Sequence, residues 1–251
     1  MPPEPNPNAA ERMPFRDVVY LWLAGVFVTS LLVANLVGSK FFWFGDLPVL
    51  GRSIPIEHSV GMFAFPVTFL LTDLVNEYYG KKGARRITWL GLGMSLYVYA
   101  MLWLAREAPP APPGRTYIDE QMFDAVFGAS RWLIVASLTA YTAGQLCDIF
   151  LFGVIRRLTG GRMIWLRATG STVVSQFVDS LVISFVLMSV QPLADGSRAS
   201  FAFMLETAVK GYVLKAAVAV AVTPLIYLGH AILKGWLGLR PAARDEPAAA
   251  R

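Results

Sequence analysis

Residues 132–155 read WLIVASLTAYTAGQLCDIFLFGVI, an almost uninterrupted apolar stretch that nevertheless contains a carboxylate, Asp148. At 1.5 Å per residue, a helix of this length crosses the hydrocarbon core of a bilayer, which is about 30 Å thick. No window of the chain alternates with the period of two of a membrane β-strand, so the stretch predicts a transmembrane helix. A carboxylate inside a span costs about 2.5–3.5 kcal/mol on insertion scales, which indicates a partner or a function.

The next apolar stretch repeats this polar pattern. Residues 144–148 read GQLCD and residues 175–179 read SQFVD, so each has a small residue, a glutamine and, three positions later, an aspartate. This spacing puts the amide and the carboxylate on one face of each helix. Two such faces on consecutive helices predict one polar site that both helices line.

The composition is that of an integral membrane protein. The chain is 55% hydrophobic and 16% charged, with a mean hydropathy of +0.52, whereas a soluble domain carries roughly a quarter charged residues. We predict an all-α integral membrane protein, a bundle of six transmembrane helices with both termini cytoplasmic. The predicted spans are 18–38, 59–78, 87–105, 132–155, 163–190 and 208–233.

The ends of the chain differ from this bundle. We expect residues 1–16 to form a disordered cytoplasmic tail, residues 17–238 the six-helix transmembrane domain, and residues 239–251 a second disordered cytoplasmic tail. Residues 1–14 are polar and rich in proline, so we expect no cleaved signal peptide. One cysteine and two histidines distant in sequence predict neither a disulfide nor a metal site, and we expect no cofactor.

Basic residues set the orientation. They concentrate in the first tail, in the turn between the second and third spans, in the turn between the fourth and fifth spans, and after the last span. The turn between the fourth and fifth spans is assigned Arg156, Arg157, Arg162 and Arg167. Cytoplasmic loops carry an excess of Lys and Arg, so this side is predicted to be the cytoplasm. The net charge of +5 therefore needs no nucleic-acid partner. On the opposite side, we expect a compact turn or hairpin at 41–57, a polyproline-like stretch at 109–113 and an amphipathic segment around Phe123 and Phe127.

Polar residues inside the spans define a candidate site. The second span ends with three polar residues on one face, which are either an inner gate or a helix-end cluster that pairs with the bases after it. The fourth and fifth spans add two further faces, which could alternatively be interhelical glue. Lys215 is interpreted as the only base clearly inside a span, and it could pair with one aspartate, leaving the other protonated or awaiting a ligand. The candidate substrate-binding residues are Asn35, Asp73, Asn76, Glu77, Tyr141, Gln145, Asp148, Gln176, Asp179 and Lys215.

The chemistry of these residues indicates the kind of solute. Carboxylates accept hydrogen bonds, and amides both donate and accept, so the lining suits a neutral or cationic solute with several N–H donors and a carbonyl. A purine-like base fits, because a carboxylate can accept two adjacent N–H groups and an aromatic side chain can stack on the base. An anionic substrate would require more buried arginine.

Three motifs resemble those of the queuosine precursor transporter family, which is also described as vitamin-uptake-like. The matching residues are Phe65-Pro66, Thr72-Asp73, residues 76–82 and Ala84-Arg85; Phe123-Asp124, residues 126–128, Arg131, Ala136-Ser137, Tyr141, Gly144-Gln145 and Asp148; and Ser171, Ser175-Gln176 and Asp179-Ser180. The resemblance covers roughly residues 34–233. It implies a multi-pass bacterial inner-membrane importer of 7-cyano-7-deazaguanine and its aminomethyl relative, salvaged for queuosine in tRNA.

Other classes of protein fit parts of the pattern. One is a substrate-binding subunit of an energy-coupling vitamin importer, which also has six helices. Another is an intramembrane enzyme with two catalytic aspartates, although neither aspartate here has the glycine-flanked setting expected of such proteases. A third is a structural assembly protein. We expect a transporter and not an enzyme, with the bilayer and a small molecule as partners and a homodimer as its assembly. The sequence leaves open the energy source and the preferred precursor.

Overall fold

The computed structural model describes residues 13–38, 40–49, 52–109, 112, 118–127, 131–160, 162–190 and 196–242. Most of these residues are helical. The elements are helix α1 (Phe15–Leu36), strands β1 (Phe41–Val49) and β2 (Arg52–Ser59), a 3-10 turn (Val60–Ala64), helices α2 (Phe65–Glu107), α3 (Glu120–Phe127), α4 (Arg131–Leu158), α5 (Ile164–Val190), α6 (Phe201–Ala221) and α7 (Thr223–Ala231), and a π-helical turn (Ile232–Trp236).

Five helical segments of the described chain are long and apolar enough to cross a membrane, which confirms the prediction of an all-α membrane protein. They are Phe15–Leu36, Val60–Glu107, Ala136–Leu158, Ile164–Val186 and Phe201–Trp236. The count is five because the second and third predicted spans both fall within Val60–Glu107. That segment has 48 residues, whereas a single crossing needs about 20.

Gly80 divides α2 into two segments. Its backbone angles, φ 68° and ψ −176°, are non-helical and lie in a region that essentially only glycine occupies. Residues on both sides of it contact the same residue of α1. The Tyr79 ring lies 4.9 Å from the Tyr20 ring, and the Tyr20 hydroxyl donates to the Gly83 carbonyl at 2.9 Å. Residues before and after Gly80 therefore lie at the same end of α1.

Farther along α1, the two segments of α2 again meet. Phe27 belongs to one buried core with Leu71, Val75, Ala84 and Ile87. In a straight helix, Leu71 and Ile87 would lie roughly 24 Å apart. Their shared core shows that the chain reverses at Gly80, so that segments 65–79 and 81–107 pack beside α1 in opposite directions.

The C-terminal half is a series of antiparallel helices. α5 follows α4 and packs along it, and α6 packs along α5, with the Phe177 and Tyr212 rings 5.2 Å apart. α6 ends before Val222, and α7 begins with Pro224 in its first turn. Pro66 lies likewise in the first turn of α2, where its missing N–H disrupts no helical hydrogen bond.

The chain ends that the structure describes meet at one end of the bundle. Arg16 donates to the Tyr78 carbonyl, and Arg156 donates to the Ala242 carbonyl at 2.6 Å. The Ala242 N–H in turn donates to the carbonyl of Glu77 at 2.9 Å. The start of α1, the Gly80 reversal, the end of α4 and the last described residues thus lie together. We call this the Gly80 end; that it faces the cytoplasm stays a prediction.

The predicted hairpin is confirmed, since β1 and β2 pair antiparallel with a bulge between Trp43 and Asp46. The predicted short helix around Phe123 is also confirmed as α3, whose backbone is capped by Asp119 through Met122 N–H at 2.7 Å. Most of the predicted polyproline-like stretch, residues 1–12 and residues 243–251 lie outside the described residues.

The reversal at Gly80 can be tested through stability. Gly80→Ala should lower the unfolding free energy by about 1–3 kcal/mol, because a side chain strains this backbone conformation. Gly93→Ala is the matched control, since Gly93 is helical and no atom lies within 4 Å of an added Cβ. Thermal unfolding of both variants in detergent measures the difference. Equal melting temperatures would show that Gly80 does not require its observed conformation.

Candidate functional site

A cavity opens between α1, the first segment of α2, α4 and α5. Its empty space is about 460 Å³, including the open mouth. We call it the Asp179 cavity. It is lined by Leu31, Ala34, Phe65, Thr68, Phe69, Tyr141, Gly144, Gln145, Gln176 and Asp179. Aromatic rings, two amides and one carboxylate therefore share one space.

A second, smaller cavity adjoins the first, with about 210 Å³ of empty space including its opening. We call it the Asp148 cavity. Its lining consists of Phe69, Thr72, Gly144, Gln145, Asp148, Thr172, Ser175 and Gln176. The two cavities share both glutamines and the ring of Phe69. The structure thus brings the two repeated motifs together, but the aspartates line adjoining cavities and not a single one.

Asp179 forms an ion pair with Lys215. The Lys215 Nζ lies 2.5 Å from Asp179 Oδ2 and 5.4 Å from the centre of the Phe65 ring, which also lines the Asp179 cavity. Gly144 of α4 allows close approach, because a Cβ added there would lie 3.1 Å from Asp179 Cβ. The pairing of Lys215 with one aspartate, which the sequence left open, is therefore with Asp179.

Asp148 is surrounded by hydroxyl groups of α5. Its Oδ1 lies 2.9 Å from Ser171 Oγ, 3.1 Å from Thr172 Oγ1 and 3.3 Å from Ser175 Oγ, each of which can donate to it. The two serine hydroxyls also reach carbonyls of their own helix. The spacing of 171, 172 and 175 puts the three on one helical face. Ser171 and Ser175 belong to the motifs quoted above, but their contact with Asp148 could not be predicted, because Ser and Thr are common in transmembrane helices.

Arg167 was misplaced by the sequence analysis. It was assigned to the basic turn between the fourth and fifth spans, with Lys215 as the only base inside a span. The structure corrects this, because Arg167 lies on α5, is only 2% exposed and pairs with Glu77 Oε1 at 2.6 Å. Arg156 Nε lies 4.0 Å from the other Glu77 oxygen. The polar cluster on α2 was interpreted as either an inner gate or a helix-end cluster that pairs with the bases after it. In the structure, Glu77 does pair with bases, but these come from α4 and α5 and not from the residues that follow it.

The other two polar residues at the end of this α2 segment lie deep in the bundle. Asp73 and Asn76 are each 2% exposed, and neither lines the two cavities described here. Asn35 is partly buried on α1 and is likewise absent from both linings, although its neighbour Ala34 lines the Asp179 cavity. Apart from Asn35 and from Lys215, which pairs with Asp179, the predicted site residues therefore divide into a cavity-lining group and a cluster nearer the Gly80 end.

Comparison with known proteins identifies the family. A family model described as "Putative vitamin uptake transporter" matches residues 59–229, which is more than half of the chain. The chain belongs to this family. The match includes every cavity-lining residue except the two on α1, and it also includes Arg167 and Lys215. No solved structure matches the chain.

Curated proteins that are similar to this chain carry a more specific name. The chain is 27% identical over 198 residues to a "Probable queuosine precursor transporter" of Bacillus subtilis, covering 74% of this chain and 81% of the relative. It is 29% identical over 167 residues to a protein of the same name in Haemophilus influenzae, covering 64% and 66%. It is 31% identical over 133 residues to the "Queuosine precursor transporter" of Escherichia coli, covering 50% and 53%. The chain is therefore similar to transporters.

The buried pair at Arg167 yields a stability prediction for this family member. Arg167→Met should lower the unfolding free energy by about 3–5 kcal/mol, because it leaves buried acids without their nearest cation. Lys210→Met, which breaks the exposed pair of Lys210 and Glu206 on α6, should have little effect. Thermal unfolding in detergent measures both. A melting temperature unchanged in Arg167→Met would contradict a structural role for the pair.

Proposed function

We propose that the protein is a bacterial inner-membrane transporter that imports queuosine precursors, 7-cyano-7-deazaguanine and/or 7-aminomethyl-7-deazaguanine, for queuosine salvage. The observation that carries this proposal is the Asp179 cavity, which combines aromatic faces, two amides and a carboxylate between helices of a transporter family. The curated relatives, named as queuosine precursor transporters, support the choice of substrate.

The lining of the Asp179 cavity suits a planar base. Phe65, Phe69 and Tyr141 offer aromatic surfaces for stacking. In the part of the chain that the structure describes, the buried oxygen of the Gln145 amide has no hydrogen-bond partner, so it can accept an N–H of a ligand. Asp179 can accept two adjacent N–H groups of a guanine-like edge. We therefore assign Tyr141, Gln145, Gln176 and Asp179 to substrate contact, with Lys215 behind Asp179.

The transmembrane arrangement that we propose has six crossings. The reversal at Gly80 supports counting the segments before and after it as separate crossings, which makes six with the other four candidate spans. Both termini and the Gly80 end would then face the cytoplasm, by the excess of basic residues there. On this assignment, the substrate passes from the Asp179 cavity, past Phe69, to the Asp148 cavity and inward.

An enzymatic function finds no support in the positions of the aspartates. A catalytic dyad requires two carboxyl groups that share a proton. Here Asp179 pairs with Lys215, and Asp148 is directed at the hydroxyl groups of α5. The energy-coupling alternative has a simple test, since such a subunit would copurify with ATPase subunits.

Uptake assays test the assigned contacts. In cells that lack both this protein and deazaguanine synthesis, the wild-type gene should restore uptake of labelled 7-cyano-7-deazaguanine. Asp179→Asn should reduce uptake by roughly 10-fold or more, because a lost hydrogen bond to a charged group is worth about 1.5–3 kcal/mol. Asp148→Asn, in the cavity through which we route the substrate, should also reduce uptake by roughly 10-fold or more, and Gln176→Ala should reduce it less, since a hydrogen bond between neutral groups is worth about 0.5–1.5 kcal/mol.

The control for these variants is Asp124→Asn, which lies in an exposed ion pair on α3 and should transport normally. Membrane levels of all variants are compared by immunoblot. Wild-type uptake in Asp148→Asn and Asp179→Asn would refute the assignment of the site, and no uptake with the wild-type gene would refute the proposed substrate.

Cysteine labelling tests the orientation. In a Cys147→Ser background, a membrane-impermeant reagent should label Gln121→Cys on α3 in intact cells. It should label Lys82→Cys, beside Gly80, only after the membrane is opened. Both positions are exposed, so accessibility depends on which side of the membrane each occupies. The reverse pattern would invert the proposed topology.

A further inference from the structure

Among the residues that the structure describes, four carboxyl groups lie inside the bundle, and three of them have a cation or several donors nearby. Those three are Glu77, Asp148 and Asp179. Asp73 differs. It is 2% exposed, both of its oxygens are buried, and neither has a hydrogen-bond partner within the described ranges of the chain.

An ionised Asp73 would be costly in this position. Burying a carboxylate without donors costs several kcal/mol, even after relaxation of the surroundings. The neutral acid avoids most of this cost, because it carries no net charge. Asn76, one turn away on the same helix, also has a buried amide nitrogen without a partner among the described residues. The arrangement therefore favours a protonated Asp73.

The charges around Asp73 do not offset the cost of ionising it. Asp148 on α4 and Glu77 on the same helix add negative charge, and Arg167 on α5 is the cation within electrostatic range. Arg167 already pairs with Glu77. Among the α1 side chains packed against this stretch, Ala24 and Phe27 are apolar, and the Tyr20 hydroxyl donates to the Gly83 carbonyl. The charged or titratable groups on the other packed helices contact different partners: Lys215 of α6 with Asp179, Arg156 of α4 with Glu77, and His230 of α7 with Tyr78.

Asp73 is also next to the route between the cavities. It follows Phe69 by one helical turn on the same face, and Phe69 lines both cavities. Its chain neighbour Thr72 lines the Asp148 cavity. Phe69 lines both cavities together with Gly144, Gln145 and Gln176, so a solute that moves from the Asp179 cavity into the Asp148 cavity passes Phe69, one helical turn from Asp73.

We propose that Asp73 is a proton site of the transport cycle, so that one proton enters the cell with each substrate molecule. This rests on the proposed import function. The carboxylate takes a proton from water on the outer side, forming an O–H bond, and releases it to water at the Gly80 end when the substrate leaves. Because the proton binds in one access state and leaves in the other, proton and substrate movements are linked.

Infrared spectroscopy tests the protonation directly, without transport. The purified wild-type protein at neutral pH should show the C=O stretching band of a buried carboxylic acid. Asp73→Asn should lose this band, and the exposed control Asp124→Asn should keep it. Absence of the band in the wild type, or its survival in Asp73→Asn, would overturn the proposal.

Proteoliposomes test the coupling. Exchange of labelled 7-cyano-7-deazaguanine without a gradient comes first; if the wild type fails it, the proposed function is wrong and the infrared result alone decides the proton site. An imposed gradient of one pH unit, acid outside, should drive accumulation of up to about tenfold for one proton per substrate. Asp124→Asn should accumulate equally, and Asp73→Asn should reach only equal concentrations. Equal concentrations in the wild type, or accumulation driven by a sodium gradient alone, would overturn the proposal.

Discussion

The ion pair between Arg167 and Glu77 is the contact on which the arrangement of polar groups in this bundle depends. A guanidinium and a carboxylate buried in an apolar bundle are tolerated only together, because either alone would carry a desolvation cost of several kcal/mol. The pair fixes α5 against the first segment of α2 at the Gly80 end. This alignment determines which residues of α5, in the turns that follow Arg167, face α2 and α4.

The two cavities follow from this alignment. Thr172, Ser175 and Gln176 lie beyond Arg167 on α5, and they border the space that Phe69 and Thr72 of α2 close from the other side. Farther along the same helix, Asp179 is held by Lys215 of α6. A series of polar groups thus extends through the bundle, with a charged pair at each end and hydroxyls and amides between.

The features that the sequence analysis predicted correctly are local ones. Apolar length predicts the membrane helices. The repeated Gln-x-x-Asp spacing predicts one site lined by both motifs, whereas the structure places Asp148 and Asp179 in adjoining cavities that share Gln145 and Gln176. Glycines and prolines within residues 41–57 predict the hairpin, although Gly45 and Pro48 themselves lie on β1, with Gly45 at its bulge. Each of these follows from a few consecutive residues, because helical and strand periodicity is a local property.

The features that the sequence analysis missed depend on contacts between distant residues. Arg167 was interpreted as a turn residue because it lies within a few residues of a predicted helix start, where boundaries are least certain. Its burial depends on Glu77, which is distant in sequence. The lack of a partner at Asp73 also could not be predicted. Helical spacing puts Asp73 and Glu77 on one face, but it does not tell which of the two carboxylates a base from another helix reaches. Only the packing of α5 shows that Glu77 has the partner.

The single non-helical residue at Gly80 has a mechanical consequence. The two segments of α2 are joined by one residue and both pack against α1, so neither can slide along the other. They are therefore expected to move as one rigid unit. A rearrangement that opened the Asp148 cavity toward the Gly80 end would have to move both segments of α2 together, or else move the helices on the other side of the cavity. The break at Val222, between α6 and α7, is a point where the C-terminal helices can bend.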